Sequence, residues 1–445
     1  MNTPICDFAR RYAESGALRL HMPGHKGQAF LGPEPYDLTE IDGADSLYAA
    51  NGIIRESEQN ASALFDTETL YSTEGSSHCI RAMLYLTVLY ARQLGRKPLV
   101  AAGRNAHKAF VSAAALLDLD VLWLCPDQPD SYLSCPLTPR ELDAALESAL
   151  EKPVAVYLTS PDYLGGTADL AGLAAVCRRR DTLLLVDNAH GAYLKFLPES
   201  RHPIDLGADL CCDSAHKTLP VLTGGAYLHL SPALPPLFAA QARQALALFG
   251  STSPSYLILQ SLDAANRYLA EGYRERLAAF LPQIAALRGR LAARGYALRG
   301  EEPLKLTIAA RDYGYTGVAL AAALLERGIV CEFADPDFVV LMLTPETGTH
   351  GLRLLEEALA AIPKRPAILE APPAFSLPKR VLSIREAAFS PCEVVPTAES
   401  AGHILAAATV GCPPAVPIVV CGERIDEAAV RCFAYYGIET CTVIA

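Results

Sequence analysis

The sequence holds no CxxC pair, no block of basic residues and no uninterrupted apolar run of about 18 residues. The first absence removes zinc ribbons and thioredoxin-like redox sites. The second, with 38 basic against 49 acidic residues and a net charge of -11, argues against nucleic-acid or anionic-membrane surfaces. The third leaves no expected membrane-spanning helix. No internal repeat or low-complexity tract is present, so a solenoid is excluded too. Residues 1–11 contain Asp7 and no apolar core, and no secretory signal is expected there. The 13 cysteines are scattered, several inside apolar runs (Cys211-Cys212, Cys331, Cys421). Reduced, buried thiols and a cytoplasmic location are expected.

What is present is a large apolar fraction, 51% of 445 residues, enough for two or three domains. Residues 1–50 read as irregular, rich in Gly, Pro and charge. Pro23-Gly24 separates His21 from His25 and prevents the helix that would put both on one metal-binding face, so no metal site is expected. From residue 54 onward, helical and strand patterns alternate. Strands are expected at 70–73, 99–102, 121–124, 154–159, 182–186, 208–212 and 225–230. Helices are expected at 54–65, 80–94, 108–117, 138–150 and 169–180, the fourth opening on a Thr138/Glu141 capping box. Such short alternation implies a mostly parallel sheet covered on both faces, with ligands beyond the carboxyl ends of its strands. Residues 257–294 read as largely helical. Strands at 305–310, 330–333 and 339–343 bracketing helices at 317–327 and 351–361 imply a smaller α+β domain, followed by a proline-rich linker at 363–378. The domains are expected as an N-terminal segment 1–50, a large domain 51–275, a small domain 276–365 and a C-terminal domain 366–445.

Five candidates fall just past expected strand ends: Gly75, His107, Thr159, Asp187 and Lys217. In Asp213-Ser214-Ala215-His216-Lys217-Thr218, a buried run stops and offers one lysine, costly unless paired or consumed covalently. Condensation with the aldehyde of pyridoxal 5'-phosphate (PLP) is one such use. PLP also needs an acid at its pyridine nitrogen, a phosphate cradle and a flat contact. Asp187 at the end of Leu183-Leu184-Leu185-Val186 offers the acid, with His190 nearby. Gly75, Ser76 and Ser77 at a helix start, with Ser214 and His216, offer the cradle. His107 offers the ring contact. Taken singly, these residues are ordinary caps or core histidines.

Together they resemble a family, the fold-type I PLP-dependent ornithine/lysine/arginine decarboxylases. The resemblance rests on His21-Met22-Pro23-Gly24-His25-Lys26, Asp37-Leu38-Thr39-Glu40-Ile41, Gly43-Ala44-Asp45-Ser46-Leu47, Arg104-Asn105-Ala106-His107-Lys108, Thr159-Ser160-Pro161, Asp187-Asn188-Ala189-His190-Gly191-Ala192, Ser214-Ala215-His216-Lys217 and a tail near residues 411–423. It implies the aspartate aminotransferase fold type I with a C-terminal decarboxylase-like domain. It also implies a homodimer or larger homo-oligomer, in which Ser251-Thr252-Ser253-Pro254-Ser255-Tyr256 reaches the partner's cofactor. Lys217, His107, Asp187 and His190 would be catalytic. Gly75, Ser76, Ser77, Thr159, Ser214, His216 and Thr252 would help hold PLP. Departures are Glu74, where Asn is usual; Asn188, where Glu is common; and Cys412, Ala415 and Cys421 in the tail.

The resulting expectation is decarboxylation of arginine, lysine or ornithine to an amine and CO2, with a place in polyamine biosynthesis. Glu423 and Asp45 are the candidates for holding the substrate's distal cation. Two alternatives stay open: another PLP reaction, aminotransferase or lyase, on the same fold, or a catalytically weakened decarboxylase-like regulator or partner, a reading motivated by Glu74 and the altered tail.

Overall fold

The computed structural model describes residues 1–126, 131–408 and 414–445. The tail departure at Cys412, with Gly411 and Pro413, lies outside the described residues. The chain divides into two compact units. The first comprises Met1–Lys97, Val154–Val156 and Leu170–Arg276; the second comprises Pro98–Pro153, Tyr157–Asp169 and Leu277–Ala445. In chain order the first seven strands are β1 (Glu68–Ser72), β2 (Leu99–Gly103), β3 (Asp120–Leu124), β4 (Ala155–Thr159), β5 (Leu183–Asp187), β6 (Leu210–Asp213) and β7 (Ala226–Leu230). They are followed by β8 (Ala297–Arg299), β9 (Lys305–Ala309), β10 (Phe333–Ala334), β11 (Phe338–Met342), β12 (Cys392–Pro396), β13 (Leu405–Ala407) and β14 (Thr440–Ile444).

In the first unit, β5 and β6 run parallel with Asp187 opposite Cys212. Their apolar residues Leu184, Leu185, Val186, Leu210, Cys211 and Cys212 are all buried, as strands covered on both faces require. β7 returns antiparallel to β6, and β1 pairs antiparallel with β7. The link from β6 to β7 holds only the one-turn helix Ala215–Thr218, too short for a crossover back to a parallel partner. Lys217 therefore sits in a tight turn at a strand tip.

Helix Gly75–Gln93 starts at Gly75 itself rather than at residue 80. Its first turn is tied down by His78, whose Nδ1 accepts from Ser72 Oγ (2.8 Å) and whose Nε2 donates to the Leu246 carbonyl (2.7 Å). Both ring nitrogens are used, and burial pulls the imidazole's pKa down.

Residues 1–50 are not wholly irregular: Pro4–Glu14 form a helix burying Ile5 and Ala9. With so few apolar positions the period is faint in sequence. The helix is fixed from elsewhere, because the buried Asp263 carboxylate accepts the N–H groups of Ile5 and Cys6 at 3.0 Å each. The 257–294 stretch is two helices, Tyr256–Ala270 and Tyr273–Ala293, parted at Gly272 with φ +78°.

In the second unit, β2 and β3 pair in parallel. A four-stranded antiparallel sheet has the order β10-β11-β9-β8, and a three-stranded sheet has the order β12-β14-β13. The expected capping box opens helix Pro139–Ser148. The strand expected at 330–333 is reduced to β10, closing a turn at Asp335–Phe338. The last sheet is roofed by helix Glu427–Tyr435, with Leu405, Phe433 and Val443 fully buried. Each such side chain contributes about 1.5–3 kcal/mol.

Candidate active site

Lys217 and His190 meet in the first unit: Nζ lies 3.0 Å from His190 Nε2. The contact follows from the sheet. Asp187 ends β5, His190 lies three residues on, and Lys217 leaves the tip of β6 beside it. Asp187 is 2% exposed; its Oδ1 accepts from Ala189 N at 3.1 Å, with Cys212 Sγ at 3.7 Å. His216 Nδ1 lies 3.0 Å from the Gly225 carbonyl, so that nitrogen carries the proton.

At the start of helix Gly75–Gln93, Ser214 Oγ donates to Ser76 Oγ at 2.8 Å, joining the two expected cradle segments. Gly75 has φ +71°, and a Cβ built there would meet nothing within 4 Å. Its N–H donates to the Gly224 carbonyl at 2.7 Å. Glu74 does not face this turn unpaired: its Oε1 accepts the Ser251 N–H at 2.5 Å. Thr252, next along, is exposed in the single chain.

In the second unit, His107 caps helix Lys108–Leu117, its Nδ1 accepting from Ala109 N at 3.1 Å. The neutral ring therefore carries its proton on Nε2. Thr159 ends β4 with its hydroxyl buried and without a partner among the described residues. The Thr218 hydroxyl, beside Lys217, is in the same state. An orphaned buried hydroxyl beside Lys217 is what a bound polar cofactor would satisfy.

Behind the strand tips lies a network that sequence reasoning missed. Asp213 is fully buried; its Oδ1 accepts from Asn188 Nδ2 at 2.7 Å, and its Oδ2 from His202 and His229 Nε2 at 3.1 Å each. Burial alone would raise its carboxyl; His202 and His229 more than offset this and hold it well below the usual carboxylate range. Asn188, an apparent departure, thus supports the turn carrying Asp187 by bonding to the next strand. The only sequence signal was a carboxylate closing the apolar run of β6.

Neither candidate for the distal cation is available. Asp45 is consumed as a cap: its two oxygens accept the N–H groups of Ser46, Asn51, Gly52, Ile54 and Arg55 at 2.8–3.3 Å. Glu423 is buried against Arg104, with Oε2 3.0 Å from Nη2 and 2.7 Å from Val420 N. Both assignments are corrected: each acid already holds internal donors.

The comparisons agree with this architecture. The solved lysine decarboxylase LdcF of Francisella novicida superposes with a TM-score of 0.82 at 17% identity, covering 100% of this chain and 81% of that one. The constitutive lysine decarboxylase of E. coli gives 0.79 at 16%, covering 100% and 82%. The fold is thus the α/β PLP-dependent fold type I, with a mostly parallel central sheet and added antiparallel sheets. The profile described as Orn/Lys/Arg decarboxylase, major domain, matches residues 3–307. The protein YaaO of Bacillus subtilis is 31% identical, covering 97% of this chain and 93% of its own length. An arginine decarboxylase of Halalkalibacterium halodurans is 28% identical, covering 96% and 91%. The chain belongs to the Orn/Lys/Arg decarboxylase family, and it is a decarboxylase.

Proposed function

We propose that this chain decarboxylates a basic amino acid (arginine, lysine or ornithine) to its amine and CO2, using PLP held by Lys217. The observation that carries the reading is the meeting of Lys217 and His190 at the tips of adjacent strands, one of which ends in Asp187. Bound PLP supplies an electron sink for the pair left when the Cα–carboxylate bond breaks. Asp187, as a carboxylate, would hold a proton on the pyridine nitrogen and so deepen that sink. His190 accepts from the Lys217 amine and so orients it. Ser76, Ser77, Ser214 and His216, with the N–H groups that follow Gly75 in the first helical turn, would bind the phosphate. His107 and Thr159 are assigned to the cofactor ring from the family motifs. Orientation of the carboxylate perpendicular to the ring selects which Cα bond breaks.

The resemblance also supports a homodimer completed by the Thr252 segment, and a cytoplasmic place in polyamine synthesis. The weakened-enzyme alternative drew on Glu74 and on the altered tail; Glu74 pairs with the Ser251 N–H, while the tail departure at Cys412 lies outside the described residues. The test is direct. Lys217→Ala should abolish the visible absorption band of the lysine-linked cofactor, and the wild type should release CO2 and one amine from a panel of basic amino acids. A retained band in the variant, or keto acid in place of amine, defeats the reading.

A further inference from the structure

With Asp45 and Glu423 committed, the question is which acid faces a cavity without a counter-charge. Within the second unit, a cavity of about 390 Å³ is lined by Tyr132, Phe333, Asp335, Tyr435 and Tyr436, with Val416 and other apolar atoms. Its volume falls in the range of small-ligand sites. Asp335 is 6% exposed. Its Oδ1 accepts the N–H groups of Asp337 and Phe338 at 2.7 Å each, holding the β10–β11 turn. Its Oδ2 is buried and has no partner among the described residues.

The neighbouring Asp337 differs. Tyr435 and Tyr436 hydroxyls donate to it at 2.5 and 3.3 Å, and Arg311 Nε lies 3.6 Å away. One acid of the pair is matched and the other is not. Burial and then Asp337 push the Asp335 carboxyl up to about 6, the mark of a group lacking a cation. The walls suit one. Tyr132 and Tyr436 rings lie 4.8 Å apart at 59°, and Tyr435 and Tyr436 rings 5.0 Å apart at 90°. Tilted rings lining a cavity beside an unmatched acid offer π faces to an organic cation.

We infer that this cavity is a binding site for an alkylammonium or guanidinium group, with Asp335 Oδ2 as its anion and Tyr132, Tyr435 and Tyr436 as its walls. Part of the argument rests on the proposed function, because basic amino acids and their amines carry such groups. The cavity also adjoins segments bearing two proposed cofactor residues. Val416 follows Ala415, whose carbonyl accepts the N–H of Lys108, next to His107. The Phe333 ring lies 5.2 Å from that of Tyr163, just beyond Thr159. Two sources share the chemistry: the distal end of the substrate, or a free amine acting as an effector.

The test is calorimetric titration of the full-length protein with 1,5-diaminopentane and with agmatine, with and without PLP, which reads binding independently of turnover. At least one amine should bind the wild type. Asp335→Asn keeps an oxygen for the turn and should weaken that binding about tenfold or more. Tyr132→Leu, which removes a wall and no hydrogen bond of the turn, should weaken it about fivefold. If the cavity holds the substrate tail, the amine competes with the amino acid and Asp335→Asn raises KM far more than it lowers kcat. If it holds an effector, the amine changes turnover without competing, and that response is lost in the variant. Absence of amine binding to the wild type, or binding unchanged in both variants, overturns the inference, whatever the Lys217→Ala absorbance shows.

Discussion

Replacing Glu423 distinguishes a structural ion pair from a substrate contact. Arg104 and Glu423 side chains are 3% and 4% exposed and 3.0 Å apart. Arg104 also donates to the Pro417 and Ile418 carbonyls at 3.0 and 2.9 Å, and its guanidinium lies 5.2 Å from the Trp123 ring centroid. Burial pushes the Glu423 carboxyl up and pulls the Arg104 guanidinium down; in each case the partner only partly offsets it. Such a pair adds little over an apolar one, but breaking it strands a buried charge. Glu423→Gln should therefore cost about 3–5 kcal/mol, and Arg104→Met a similar amount. The double variant Arg104→Met/Glu423→Leu strands no charge and loses donors to two carbonyls, so it should cost about 1–3 kcal/mol, well under the sum of the singles. Urea unfolding followed by fluorescence checks this locally, since Trp123 is the sole tryptophan and packs on Arg104. A Glu423→Gln protein with wild-type unfolding and a tenfold higher KM would refute the argument and return Glu423 to the substrate.

Ala415 adopts φ +57° and is buried. Ala415→Gly relieves about 1–2 kcal/mol of left-handed strain but gives up about 0.8 kcal/mol of methyl burial and some chain entropy, so thermal melting should barely move. Ala415→Val puts a β-branched residue at that φ and should cost more than about 2 kcal/mol in the same assay. Acid should loosen the first unit in two stages. Burial lowers the His229 pKa, so below about 6.5 the unfolded chain takes up a proton the fold resists. Asp213, depressed in the fold, contributes stability above about 3.9 that is lost as pH falls further. Hydrogen exchange of β6 and β7 against pH should show both, and the second stage should vanish in Asp213→Asn. Amine binding at Asp335 should weaken as pH drops through about 6. Asp337, Tyr132, Tyr435, Tyr436 and Arg311 face the same cavity or its acid pair, and Asp335→Asn should flatten the calorimetric pH profile.

Much of the α/β core was legible because its strands are apolar on both faces and end in polar turns. Runs such as Leu183-Leu184-Leu185-Val186 leave no other reading. The direction of β7 was not legible from periodicity, since a run buried on both faces is apolar whichever way it travels. It follows instead from the shortness of the turn carrying Lys217. The N-terminal helix was hidden for a different reason. Its stability comes from Asp263, more than 250 positions away, and no local pattern carries a cap supplied in trans.

The same distinction separates what could be read of the site from what could not. Asp187 ends the apolar strand β5, and His190 and Lys217 follow β5 and β6 by three and four residues, in turns just past strand ends where the sequence draws the eye to ionisable groups. Nothing local in the sequence ranks Asp45, between Ala44 and Ser46, Glu423, between Gly422 and Arg424, and Asp335, between Ala334 and Pro336. Their difference lies in donors. Asp45 holds backbone N–H groups that converge only once residues 46–55 have turned around it, and Glu423 holds an arginine 319 positions away. Asp335 satisfies one oxygen in its own turn and leaves the other buried without a partner among the described residues, in a cavity whose tyrosine walls come from two separate segments. An acid's availability is thus a property of the folded donor inventory, and a sequence names the candidates without counting their partners.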